Sequence, residues 1–193
     1  MATYTLVPDA DHLPDAGDWT INNSAPDIHS AIDATGIPTI STAATNKDFR
    51  VGFTTQALGT GETIDSIQAC ITGHTGNTRS ETAVVRIDIE NASNTDYFTD
   101  NHTVTENGGV EATYCSAVET TSDGGSTAWT QGDIDAIRMD GEVTSFSGGS
   151  PTVILYFAYI TVETTVPTTY LSEDKIICKN GTLVFSNGTA DLK

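Results

Sequence analysis

The stretch Ser150–Glu163, SPTVILYFAYITVE, is the most informative in the chain. β-Branched and aromatic residues dominate it, which favours a pleated strand over a helix. On a period-two strand, Val153, Leu155, Phe157 and Tyr159 point one way, and Ile154, Tyr156, Ala158, Ile160 and Val162 the other. Both faces are apolar, so the pattern predicts a central strand covered on both sides. The unbroken apolar run from Val153 to Ile160 is far shorter than the roughly 20 residues a membrane-spanning helix needs.

Working outward, weaker strand patterns recur between Gly, Asn and Pro. Met1–Val7 alternates through Tyr4 and Leu6, and Phe49–Thr55 through Phe49, Val51 and Phe53. In Thr63–Thr72, Ile67, Ala69 and Ile71 face inward, helped by Ile64. Thr82–Glu90 places Ala83, Val85, Ile87 and Ile89 inward and Val84, Arg86, Asp88 and Glu90 outward, the pattern of a half-buried antiparallel strand. Tyr97–Val104 and Val110–Val118 read as a hairpin across Asn107-Gly108-Gly109. Pro8–Gly17 reads as an acidic loop, and Asp133 as the start of a short turn before Met139. Trp19–Ile21 and Asp27–Asp33 are short apolar pieces, with Pro26 and Pro38 breaking any helix across them. No long helix-period segment occurs. The fold class is therefore all-β: a two-sheet antiparallel sandwich, jelly-roll-like, over residues 1–163.

After Glu163 the character changes. Thr164–Thr169 is a linker, and Asp174–Ser186 is two short strands around Asn180-Gly181, a strong two-residue hairpin signal. An isolated hairpin is marginally stable. Ile176, Ile177, Leu183, Val184 and Phe185 therefore need a partner surface, either the main domain or another subunit. Residues 164–193 form a linker plus C-terminal β-hairpin appendage.

The chain has 193 residues, 26 Asp plus Glu against 8 Lys plus Arg, and a formal net charge of −18. Such a surface repels phosphate backbones and anionic membranes, so neither nucleic acid nor membrane is an expected partner. The acid excess points to a halophilic or marine source, because salt screens the self-repulsion. Cys70, Cys115 and Cys178 are an odd number, far apart and without CxxC spacing, and Cys70 in an apolar strand reads as a buried free thiol. Met1–Val7 lacks the basic start and long apolar run of a secretion signal.

Catalytic and cofactor signals are weak. The four histidines (His12, His29, His74, His102) are scattered, with His74 in a loop reading, and no hydrolase elbow or phosphate loop occurs. Asp9, Asp11, Asp15 and Asp18 could hold a hard cation, but a solvated acidic loop is the plainer reading. Asp88 and Glu90 share a strand face about 7 Å apart, a glycosidase-like spacing, yet read as exposed acids. Trp19, Trp129, Tyr97 and Tyr114 could line a sugar-binding face, with core packing the plainer reading for Trp129. Five Asn-x-Ser/Thr sequons (Asn22, Asn91, Asn101, Asn180, Asn187) are near what abundant Thr produces by chance. No enzyme activity, cofactor or metal is expected.

Asp27–Asp33 (DIHSAID), Asp48–Phe53 (DFRVGF), the strands at 64–71 and 84–89, Ala128-Trp129-Thr130, Asp133–Arg138 (DIDAIR) and the final long apolar strand together resemble small virion proteins of tailed viruses. Those are jelly-roll or carbohydrate-binding-module-like sandwiches on heads, tails and fibres. The likeness covers about residues 15–163, and its motifs are loose. It implies a non-enzymatic virion structural protein, a homo-oligomeric capsid decoration or turret protein on the viral shell, assembled in the host cytoplasm. By analogy the trimer is the expected state and a major capsid protein the expected partner. Contacts are assigned to Leu155, Phe157, Tyr159, Ile176, Ile177, Leu183 and Phe185. The alternative is a tail-fibre or receptor-binding module reading host surface glycans, with Trp129 as a contact and loops Gly73–Ser80 and Asp123–Thr127 around it.

Overall fold

A computed structural model describes residues 1–12, 19–23, 25–33, 39–76, 81–105, 109–148 and 152–166 in full, and 174–179 and 182–187 by their backbone. Among them the fold is an antiparallel β-sandwich, as the strand periodicities predict.

The first sheet runs in the order β3 (Thr20–Asn22), β4 (Thr39–Thr42), β11 (Thr152–Thr165), β6 (Thr63–Gly76), β9 (Ala112–Cys115). β1 (Ala2–Leu6) also pairs with β11, alongside its second half, while β4 takes its first half. Between the two, the Ala158 amide donates to the Ile32 carbonyl at 3.0 Å. The second sheet runs β2 (Pro8–Asp11), β5 (Asp48–Phe53), β10 (Arg138–Ser147), β7 (Thr82–Glu90), β8 (Asp96–Thr105). Two one-turn helices, α1 (Ile28–Ala31) and α2 (Gln131–Asp135), sit in the connections. Asp27 caps α1, and Thr130 with Asp133 forms a reciprocal capping box on α2, satisfying amides that a helix start leaves open. β12 (Asp174–Lys179) and β13 (Thr182–Asn187) pair as a separate two-stranded sheet, Ile176 opposite Phe185 and Cys178 opposite Leu183.

The core lies between the sheets. Ile67, Ala69, Ile71, Leu155, Ala158 and Ile160 on one side meet Phe49, Val51, Val85, Ile87, Ile89 and Met139 on the other, all essentially inaccessible. Gly141 is required at its place, because a Cβ there would overlap the Phe49 ring.

Several expectations are corrected. β11 is not covered on both faces, and its alternation does not run through. A bulge between Leu155 and Phe157 sets Tyr156 and Phe157 together opposite Thr72. Val153 and Leu155 face the core before the bulge, while Ala158, Ile160 and Val162 do so after it. Tyr97–Val104 and Val110–Val118 are not a hairpin: β8 pairs with β7 in the second sheet and β9 with β6 in the first. The Asn107–Gly108 turn lies outside the described residues. Pro8–Asp11 is strand rather than loop, held by pairing with β5. Cys70 is not a free thiol. The β6–β9 register sets it directly opposite Cys115, and the two form a disulfide across 45 residues of sequence.

Candidate binding face on the first sheet

The bulge in β11 creates the most distinctive surface. Because Phe157 shifts outward beside Tyr156, β11 shows the solvent a run of part-exposed apolar side chains: Ile154, Tyr156, Phe157 and Tyr159. Phe157 and Tyr159 stack, with ring centroids 4.8 Å apart and planes 28° apart. Register continues this face onto the neighbouring strands. Tyr159 lies beside the Cys70–Cys115 bond, and Phe157 beside Thr72 and Thr113, whose hydroxyls pair at 3.0 Å. Beyond Tyr159 a shallow hollow of about 280 Å³ is lined by Ser66, Gln68, Val118, Thr161 and Glu163. Val118 is 56% exposed there.

This face is held rigidly from beneath. His74 is not in a loop: it is buried in β6, its Nδ1 donating to the Thr75 carbonyl at 2.9 Å and its Nε2 pairing with the Tyr156 hydroxyl at 3.0 Å. Burial, aided by Glu111, pushes the Tyr156 hydroxyl up, so it stays protonated and available to that bond. The Gln68 amide donates to the Ser116 carbonyl at 2.8 Å, fixing the stretch after β9.

Sequence-assigned contact residues divide. Phe157 and Tyr159 lie on this face. Leu155 does not: it is 1% exposed and belongs to the core, because it precedes the bulge. The side chains of Ile176, Ile177, Leu183 and Phe185 lie outside the described residues.

The alternative of an aromatic sugar platform is not assembled, and Trp129 packs in the core as its plainer reading has it. Trp129 is 4% exposed, its indole N–H donates to the Glu119 carbonyl at 3.0 Å, and Tyr97 meets it edge-on at 5.0 Å. Trp19 is equally buried, donating to the Lys47 carbonyl and set edge-on to Phe49. Both indoles are core residues with satisfied donors rather than open stacking surfaces. Of the loops expected around them, Gly73–Gly76 belongs to β6 and 77–80 lies outside the described residues. Asp123 ties its own loop by accepting from Gly125, Ser126 and Thr127, which holds its carboxyl down at about 2.

A second cleft, of about 460 Å³, opens at one end of the sandwich between the 54–62 connection and α2. Leu58, Gly59, Glu62, Thr63, Ile64, Ala128, Trp129, Thr130 and Gln131 line it. Its polar groups are already engaged. Gln131 donates to the Gln56 carbonyl and accepts from the Leu58 amide, and Glu62 accepts from Tyr4, Thr164 and the Gly59 amide.

The carboxylates hold structural positions. Asp11 accepts from the Ile28 and His29 amides at the start of α1, and its carboxylate and that of Asp27 flank the His29 ring at 3.1 and 3.2 Å. These three form one group of potential metal-ligand type, but their oxygens are committed to helix amides and the imidazole. Asp15 and Asp18 lie outside the described residues. Asp88 and Glu90 are not exposed acids: they are 6% and 5% accessible. Arg86 Nε bonds Asp88 at 2.7 Å and reaches Glu142 at 2.8 Å, while Arg50 pairs with Asp140 and lies 3.1 Å from Glu90. Burial pushes the Asp140 and Glu90 carboxyls up, and Arg50 works against that shift. Register explains the cluster: Arg50, Asp140 and Asp88 stand side by side on β5, β10 and β7. Neither cleft above reaches these acids, so their spacing is that of an ion-pair lattice on the second sheet.

No protein-family model and no curated protein matches the sequence. Among solved structures, a chain described as "CBM4 structure and function" is similar at 8% identity, with 83% of this chain and 86% of that chain covered and a TM-score of 0.37. An arabinose-bound GH51 α-L-arabinofuranosidase is similar at 9% identity, with 82% of this chain and 26% of that chain covered and a TM-score of 0.43. Neither likeness reaches the level at which a shared function follows. No helix among the described residues is long and apolar enough to cross a membrane.

Proposed function

We propose that this chain is a non-enzymatic virion structural protein, a homo-oligomeric decoration or turret protein that packs on a viral shell. The observation that carries the reading is the part-exposed Phe157–Tyr159 stack on a disulfide-braced sheet face. Aromatic side chains on a rigid support lose little entropy on association, and such residues dominate interface energetics. The Cys70–Cys115 bond supports service outside a reducing cytosol, closing after release of assembled particles. The acidic surface keeps particles apart in salt.

The test is assembly of the full chain. Sedimentation should give the mass of three copies, and Phe157→Ser or Tyr159→Ser should each weaken association by roughly 2 kcal/mol, about 30-fold in dissociation constant. The melting temperature of the single chain should change little, because both rings are part-exposed. Unchanged self-association in the double variant would remove the face from the interface. The halophile reading carries its own measurement: the melting temperature should climb between low and molar salt as the −18 charge is screened, and a flat curve ends it.

One observation favours the glycan-reading alternative. The same two rings lie nearly parallel beside the Thr72 and Thr113 hydroxyls, an arrangement on which a pyranose could stack and hydrogen-bond. Glycan-array binding that disappears on Tyr159→Ala, with self-association intact, would favour a fibre module.

A further inference from the structure

The end cleft and the C-terminal hairpin fit one another. The polar groups of Gln131 and Glu62 are engaged within the fold, so what remains to recognise a partner is an apolar wall in which part-exposed Leu58 and exposed Ala128 flank the buried Ile64 and Trp129. That wall suits an aliphatic or aromatic side chain better than a polar solute. The chain leaves the sandwich beside it: Thr165 pairs with Thr63, itself a cleft residue. Val166 is 51% exposed and precedes Pro167. A residue before proline is biased to extended backbone. Residues 167–173 can then span at most roughly 25 Å before β12 begins.

Charge argues for where the hairpin goes. Residues 1–166 hold 23 acidic and 5 basic side chains, whereas 167–193 hold 3 of each, including three of the four lysines. Two sandwich bodies repel one another, and the neutral C-terminal segment is the part of the chain that approaches another copy without that penalty. In β12 and β13, the register of Ile176 with Phe185 and Cys178 with Leu183 places these four residues on alternate positions, one apolar row of a two-stranded ribbon.

We propose that the β12–β13 hairpin of one copy docks, by its Ile176–Phe185 row, into the Leu58–Ile64–Trp129 cleft of a neighbouring copy. The inference rests on the self-assembly reading above and names a second contact for it, apart from the Phe157–Tyr159 face.

The full-length chain supplies its own probe, because Cys178 lies in β12 while Cys70 and Cys115 are joined. Ala128→Cys adds an exposed thiol at the cleft, and Thr103→Cys, on the edge of the second sheet, serves as the control. Equal amounts of light and nitrogen-15-labelled protein are mixed, treated with a short bis-maleimide and analysed as peptides. The expected result is a 128–178 cross-link, about half of it joining light to heavy peptide, with none at 103 and a tenfold or greater loss on Phe185→Asp. Cross-links confined to light–light and heavy–heavy pairs would overturn the proposal, since the hairpin would then fold onto its own body. Intact oligomers without any 128–178 product would overturn the cleft assignment and leave the assembly reading standing. A monomer at every concentration would remove both.

Discussion

Arg50→Met lowers the stability of the sandwich by roughly 3–5 kcal/mol at neutral pH, measured by chemical denaturation. The size follows from position. Arg50 is 16% exposed by side chain and serves two carboxylates that are themselves almost closed off, Asp140 at 9% and Glu90 at 6%. Removing the cation leaves two acids without their compensating charge, on strands that cannot turn them elsewhere. A surface pair would cost at most about 1 kcal/mol, so a loss of that order would show that the lattice is solvated. The pH dependence has a definite sign. Burial already lifts the Asp140 and Glu90 carboxyls, and without Arg50 both rise further. Each folded-state value then lies above its unfolded one, so the folded protein binds more protons and stability increases as pH falls through the raised values. The deficit of Arg50→Met should therefore narrow on acidification from neutrality. Adding Asp140→Asn and Glu90→Gln to the variant should recover much of the loss at pH 7.

Opening the Cys70–Cys115 bond is the second large perturbation. It closes 45 residues of sequence, which in the chain-entropy account corresponds to about 4 kcal/mol of stability. For a chain of this length that is roughly a 10 °C fall in melting temperature. Cys70→Ala with Cys115→Ala, or reductant alone, should produce it. Thiol titration of the unreduced, denatured protein should find a single reactive group, Cys178. Three titrating thiols in protein purified under oxidising conditions would contradict the pairing. The bond also braces the strands beneath Tyr159, so the reduced protein should associate less strongly than the oxidised one.

Local pattern carried much of the fold. Phe49, Val51 and Phe53, and Ala83 through Ile89, face the core as their alternation requires, because neither strand is bulged where it packs on the opposite sheet. The Asn180-Gly181 hairpin also pairs as its turn chemistry demands, Lys179 with Thr182. Outward positions were less legible. Glu90 reads as a solvated acid because its counter-charge, Arg50, comes from β5, a strand distant in sequence, and Asp88 reads so because only the sheet sets Arg50 and Asp140 beside the Arg86–Asp88 pair. Core packing, the plainer reading of Trp129, holds, but its partner was not legible: the indole N–H closes on the Glu119 carbonyl, ten residues back.

Composition and periodicity by themselves determined that this chain is an acidic all-β protein with a hairpin at its end, since side-chain alternation and two-residue turns are local properties of a strand. Tertiary structure alone decided which residues face outward on β11, which cysteines meet, and which acids are neutralised. A one-residue bulge reverses the facing of every side chain after it, and nothing in the sequence around Tyr156 marks where it falls. Cross-strand partners such as Cys70 with Cys115, or Arg50 with Asp140, exist only once sheet order brings distant segments 5 Å or so apart.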